Sequence, residues 1–150
     1  MPPLDLFLAD DSATVALGES LAKKLRVGDA LCLNGPLGAG KSTLARGLVR
    51  ALTRPDEEVP SPTFTLVQAY EGPDFPIAHF DLYRLTDPDE AYEIGLEEAL
   101  EDGAAIIEWP ERLEGRLPPD RLDIDLFLEG DARRARLTAH GSWKDRELGS

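Results

Sequence analysis

Residues 35–42 read Gly35-Pro36-Leu37-Gly38-Ala39-Gly40-Lys41-Ser42, a match to the pattern GxxxxGK[ST]. Each residue type has a physical job at that spacing. Glycines let the main chain curl so that successive N–H groups point at phosphate oxygens with no Cβ in the way. A helix starting directly after the loop adds unpaired N–H groups and the positive end of its dipole. Lys41 brings a point charge for the β- and γ-phosphates, and the Ser42 hydroxyl suits Mg2+. The competing reading is a glycine-rich turn with a solvated lysine. The flanks favour the phosphate loop, because the apolar run Ala30–Leu33 precedes it and STLARGLVRALT, with helical spacing, follows. Gly35, Leu37, Gly38, Ala39, Gly40, Lys41, Ser42 and Thr43 are therefore the expected nucleotide contacts, with ATP and Mg2+ as the ligands.

Working outward, Leu4, Leu6 and Leu8 alternate as in a half-buried strand. Asp11 and Ser12 offer N-caps for a helix to about Leu25, whose apolar positions Ala13, Leu17, Leu21 and Leu25 share one face. Pro55 to Glu58 reads as an exposed loop, and the later part of residues 61–70 as a strand. Ile77–Asp81 and Ala104–Trp109 are further apolar runs, the second stopped by Pro110. Between them Asp87-Pro88-Asp89-Glu90 has the chemistry of a helix start, with the helix reaching about Leu100. Residues 110–121 read as a long exposed loop. Leu122, Ile124, Leu126 and Leu128 then alternate, and after a turn at 129–131 the segment 133–139 pairs back as a hairpin.

The order β-α-β-α-β-β-α-β-β-β predicts an α/β protein of the P-loop NTPase kind. Three layers are expected, with a mostly parallel central sheet and antiparallel edge strands. The length, 150 residues, fits a single domain. Sixteen basic and 29 acidic residues leave a net charge of −13, which argues against a broad nucleic-acid face. The single cysteine, Cys32, forms no internal disulfide, and no run of about 18 apolar residues is present to span a membrane. A cytoplasmic location is the expectation.

Nucleotide hydrolysis needs an acid at the end of a second strand to hold Mg2+ or its water. Asp81 and Glu108 both follow apolar runs and should reach the carboxyl edge of the sheet, where open α/β folds bind ligands. Both are candidate catalytic and metal positions, with Lys41 and Thr63 as further catalytic candidates and Ser42 as a further metal position; which acid meets the metal is left open. Thr63, in Ser61-Pro62-Thr63, lies where nucleotide-sensing loops occur. Arg133 is placed among the nucleotide contacts, with a solvated edge strand as its alternative. Two histidines and one cysteine cannot build structural zinc. Trp109 reads equally as a core residue or a stacking surface. Arg46, Arg50 and Arg54, four apart, read as a solvated helix face. Guanine recognition by NKxD is absent, since Asn34 is the one asparagine, so ATP is the expected nucleotide. Arg112, Arg116 and Arg121 keep a small-molecule kinase with an arginine-bearing lid as an alternative. A nucleotide-sensing module without catalysis is the third reading.

Four segments, GPLGAGKS, SPTFTLV, HFDLYR and IEWPERL, occur here in that order and at intervals that resemble the bacterial TsaE (YjeE) family. The resemblance runs from about Leu17 to Leu117. Serine at Ser42 where threonine is usual keeps the hydroxyl, and the C-terminal GSWKDRELGS lies outside the resemblance. It implies a small ATPase that works with TsaD and TsaB in forming threonylcarbamoyladenosine in tRNAs reading codons that begin with adenine. Hydrolysis would reset or regulate that complex, and tRNA would be met only through it. By similarity, Lys41 and Ser42 bind phosphate and metal, Glu108 is the second Mg2+ position and Asp81 supports hydrolysis. Thr63 and Thr65 fall in a first switch-like segment, and Trp109 in a nucleotide-edge motif. No arginine finger is placed by motif, and one supplied in trans is worth about three to five decades in rate. Weak activity alone and stimulation by partners are therefore expected.

Overall fold

Largely continuous apolar runs bury both faces of three central strands, while alternation at Leu122, Ile124 and Leu126 buries one face of a fourth, and that choice sets the architecture. The structure, a computed structural model, describes residues 3–36, 38–59 and 66–148. Its strands are β1 (Leu4–Leu8), β2 (Ala30–Asn34), β3 (Val67–Glu71), β4 (Pro76–Asp81), β5 (Ala104–Glu108), β6 (Arg121–Glu129) and β7 (Ala132–Ala139). Its α-helices are α1 (Asp11–Ala22), α2 (Lys41–Leu52), α3 (Asp89–Glu93) and α4 (Leu96–Asp102). The strands form one sheet in the order β1-β7-β6-β2-β5-β4-β3. Neighbours from β6 to β4 run parallel, and β3, β7 and β1 join antiparallel. The mostly parallel sheet with antiparallel margins is as expected. The closing hairpin is not itself the margin, because β1 pairs outside β7.

Period-two alternation divides the core. Leu31, Leu33, Ile77 and Ile106 pack with Leu17, Leu21, Leu44 and Leu48 of α1 and α2. Cys32, Phe80, Ala105 and Ile107 face the other way, toward Ala91, Leu96 and Leu113. The two helices on the first face approach closely through a pair of glycines. A Cβ on Gly18 would lie 2.5 Å from the Leu44 carbonyl oxygen, and one on Gly47 2.8 Å from that of Val15. This contact holds α2, and with it the glycine-rich loop that precedes it, against the rest of the fold.

Five local expectations are corrected. The cap of α1 is Asp10, whose carboxylate accepts the Ala13 N–H at 2.9 Å; Asp11 and Ser12 fall inside the helix. That helix ends at Ala22, although Leu25 stays buried beyond it. The predicted helix from residue 88 to Leu100 is two pieces, because Gly95, at φ +95°, turns the chain between α3 and α4. Residues 110–121 are an exposed loop only in part: 114–120 is turn and coil with exposed Glu114, Gly115, Arg116 and Pro119, but a 3₁₀ turn over Pro110–Leu113 buries both of its end residues. Leu128 continues the alternation of β6 but is 53% exposed, since the strand has run past the helices that cover it.

Candidate functional site

Between β2 and α2 the chain turns back on itself. Gly38 and Gly40 adopt positive φ, +83° and +102°, and no side chain caps α2. The first N–H groups of that helix are thereby left for an anion. Gly38, Gly40, Lys41, Ser42 and Thr43 form one wall of a cleft of about 380 Å³. Gly35 backs onto Leu126 and Ala39 is fully buried, so both support the loop from behind. Leu37, Thr63 and Thr65 lie outside the described residues. Arg133 reaches the cleft from β7, donating from Nε to the Gly38 carbonyl at 3.0 Å. Arg134 instead pairs with Glu129 on the exposed surface.

Lys41 is buried, and its Nζ has no hydrogen-bond partner among the described residues. It rests 3.8 Å from the centre of the Trp109 ring. A cation over an aromatic face is attracted to it, but an ammonium excluded from water still lacks acceptors. Trp109 holds φ +61° and ψ +50° immediately before Pro110. That conformation is uncommon for a bulky residue and is opposed by the following proline, so the surrounding fold must impose it. Its ring meets Tyr83 at 5.0 Å, and Arg112 lies 5.8 Å over Tyr83. The choice between core and stacking surface resolves as a stack at the mouth of the cleft.

The acids come from adjacent strands. β5 lies directly beside β2, and β4 beside β5, with Asp81 paired opposite Glu108. Alternation puts both on the face that carries α2. Both are buried, and both line the cleft. Like charges opposite one another across strands repel, so this pair is best accommodated with a cation between or beside it. Asp81 Oδ1 also accepts the Tyr83 N–H at 3.1 Å. Mg2+ commonly takes one or two carboxylates together with phosphate oxygens and water. Two carboxylates and the Ser42 hydroxyl are oxygen ligands that fit such an ion, and Lys41, with no hydrogen-bond partner among the described residues, fits a nucleotide phosphate beside it.

Two residues escaped the sequence reading. His79 Nε2 lies 2.6 Å from Glu108 Oε2, although the histidine registered only as too few for zinc. Its position two residues before Asp81 on one strand was the available signal. Asp11, read as a cap, lines the cleft from the first turn of α1. Of the expected lid arginines, Arg112 lies over Tyr83 beside Trp109, while the other two are engaged elsewhere. Arg116 pairs with Asp89, and Arg121 with Asp123 at 3.1 Å and the Pro118 carbonyl. None of Arg112, Arg116 and Arg121 lines the cleft as described. Arg50 and Arg54 are bonded to Glu57 at the end of α2.

A family profile described as "Threonylcarbamoyl adenosine biosynthesis protein TsaE" matches residues 8–136. A protein of that name from Rickettsia felis is 38% identical over 129 residues, 86% of this chain and 75% of the relative. The one from Haemophilus influenzae is 37% identical over 145 residues, 93% of this chain and 91% of the relative. Among solved structures, the crystal structure of YdiB from Bacillus subtilis matches with a TM-score of 0.78 at 29% identity. That match covers 95% of this chain and 89% of the other. No helix among the described residues is long and apolar enough to cross a membrane.

Proposed function

The chain belongs to the TsaE family of tRNA threonylcarbamoyladenosine biosynthesis, and on that premise we propose that it is the Mg2+-dependent ATPase of the pathway, acting with TsaD and TsaB. The observation that carries this reading is the Lys41 ammonium, buried without a hydrogen-bond partner among the described residues in a cleft that also holds Asp81 and Glu108. A charge in that state needs a ligand rich in acceptors, and a triphosphate is one.

Each part of the chain has a distinct task. The open N–H groups at the start of α2 and the Lys41 ammonium bind the phosphates. Ser42 and Glu108 hold the metal, Glu108 because its strand lies directly beside β2. Asp81, one strand further out, orients the attacking water. Mg2+, when bound, neutralises charge that builds on the phosphoryl oxygens as the bond to the leaving group breaks. Arg133 steadies the loop through the Gly38 carbonyl.

Hydrolysis by the isolated chain is slow, because the described cleft contains one arginine, already engaged on the loop backbone. An arginine supplied by a partner would raise the rate, and ATP turnover would then reset the TsaD–TsaB complex between rounds of tRNA modification. With a net charge of −13, the chain meets tRNA only through those partners.

The test is phosphate release from ATP by the purified chain, with and without TsaD and TsaB, beside a screen of small acceptors. Stimulation by the two proteins that disappears in Lys41→Ala is expected. Transfer to a small acceptor without stimulation would overturn the reading in favour of a kinase. Asp81→Asn separates binding from hydrolysis. If that variant binds ATP, does not hydrolyse it and still supports modification, nucleotide sensing alone is the function.

A further inference from the structure

His79 has no part in the phosphate-binding pattern, yet it is the side chain that meets Glu108. On β4 it stands opposite Ile106 of β5, one diagonal step from Glu108 and deeper in the sheet. Nε2 closes to 2.6 Å from Oε2, and the two side chains are only 2% and 6% exposed. Nδ1 is buried and has no hydrogen-bond partner among the described residues. An N–H at Nδ1 would be an orphan donor in the interior, which is rarer and costlier than an acceptor left short of a partner. The proton therefore belongs on Nε2, and Nε2 donates to Glu108. One carboxylate oxygen is held from beneath, and the other is left to the cleft that Glu108 lines.

Without that donor, Glu108 would face Asp81 across the strands with its rotamer free, and repulsion would turn it from the shared ligand position. We infer that His79 is the positioning residue for Glu108, fixing its carboxylate for the Mg2+ of the bound nucleotide. The inference rests on the reading of the cleft as a Mg2+–nucleotide site. Groups that orient a metal's ligands set its affinity, and their loss typically weakens binding by about 10- to 100-fold.

The experiment compares the full-length wild type with His79→Leu and His79→Gln. The glutamine amide can place an N–H near the position of Nε2, whereas leucine fills the space with no donor. A fluorescent methylanthraniloyl-ATP is bound first in EDTA and then across a Mg2+ titration, with thermal melts in parallel. In EDTA all three should agree within about twofold, while His79→Leu needs at least about tenfold more Mg2+ for half-maximal effect and His79→Gln recovers most of the loss. A leucine variant that responds at the wild-type Mg2+ concentration overturns the inference. So does a glutamine variant as impaired as leucine while melting like the wild type.

If His79→Leu does not fold, His79→Asn takes its place, because its shorter amide reaches only the Nδ1 position. Asparagine impaired and glutamine active supports the role; equal behaviour overturns it. A wild type whose nucleotide affinity ignores Mg2+ brings down the metal reading and this role together. A wild type that responds, beside a leucine variant that responds identically, removes the role of His79 alone.

Discussion

The two ends of β2 both bury charge, and they treat it in opposite ways. Just before the strand begins, Asp29 meets Arg146 through two hydrogen bonds, Nη1 to Oδ2 at 2.5 Å and Nη2 to Oδ1 at 3.1 Å. The Arg26 N–H also donates to that carboxylate at 2.6 Å. The guanidinium reaches the Lys24 carbonyl and the Ser142 hydroxyl, and it lies 4.2 Å over the buried Trp143 ring. At the far end, Lys41 is buried with no hydrogen-bond partner among the described residues and two carboxylates face one another. Charge neutralised within the chain joins the C-terminal segment to the sheet. Charge left open is available to something from outside.

If this contrast is real, each end should fail in its own way. Arg146→Ala strands a buried carboxylate and should cost about 3–5 kcal/mol in urea unfolding, with nucleotide affinity of the folded protein unchanged. A variant that keeps its stability but loses nucleotide would break the contrast. Lys41→Ala should do the reverse. Phosphate release falls by about 100- to 1000-fold, the scale expected for one electrostatic contact to reacting phosphate. Its melting temperature holds or rises, because a buried unpartnered ammonium has gone.

Smaller changes sharpen the picture. Asp81→Asn relieves the like-charge opposition with Glu108 and should stabilise the ligand-free protein by up to about 1 kcal/mol while slowing hydrolysis. Equilibrium unfolding in the presence and absence of nucleotide reads both effects. A loss of ligand-free stability would mean the carboxylates are not in conflict. Midway along β2, between the two ends, Cys32 should show almost nothing at neutral pH. Burial pushes its thiol up to about 12, with the Asp123 carboxylate adding to the rise. A disulfide reagent at pH 8 should leave the native protein untouched and modify it once unfolded. Because the unfolded thiol ionises first, near its ordinary value of 9.0, stability should hold below that pH and decline as pH climbs toward 12. Rapid labelling of the native protein would show that this part of the strand opens.

Much of the site was readable because it is local. The glycine-rich loop is one contiguous stretch, and the strand ends at Asp81 and Glu108 are announced by the apolar runs before them. Where local pattern failed, a distant segment had the deciding vote. Leu128 keeps its period but outruns its cover. Leu113 is charged-loop sequence to the eye, yet it fills the core beneath β5 and β2. The C-terminal GSWKDRELGS resisted interpretation because the partner of Arg146 lies 117 residues earlier, and nothing in the segment itself points to Asp29.

The pattern of residues was thus sufficient for the α/β alternation, the glycine-rich turn between β2 and α2 and the two acids at strand ends, since periodicity and turn chemistry act over a few neighbouring residues. Tertiary structure settled which strand adjoins β2, and so which acid stands next to the loop. It also joined His79 to Glu108 across 29 residues, and left Lys41 without a hydrogen-bond partner among the described residues while giving Arg146 several. The reason is physical: strand order and buried pairing are determined by the free energy of bringing remote segments together, and that free energy belongs to the assembled fold rather than to any stretch of chain within it.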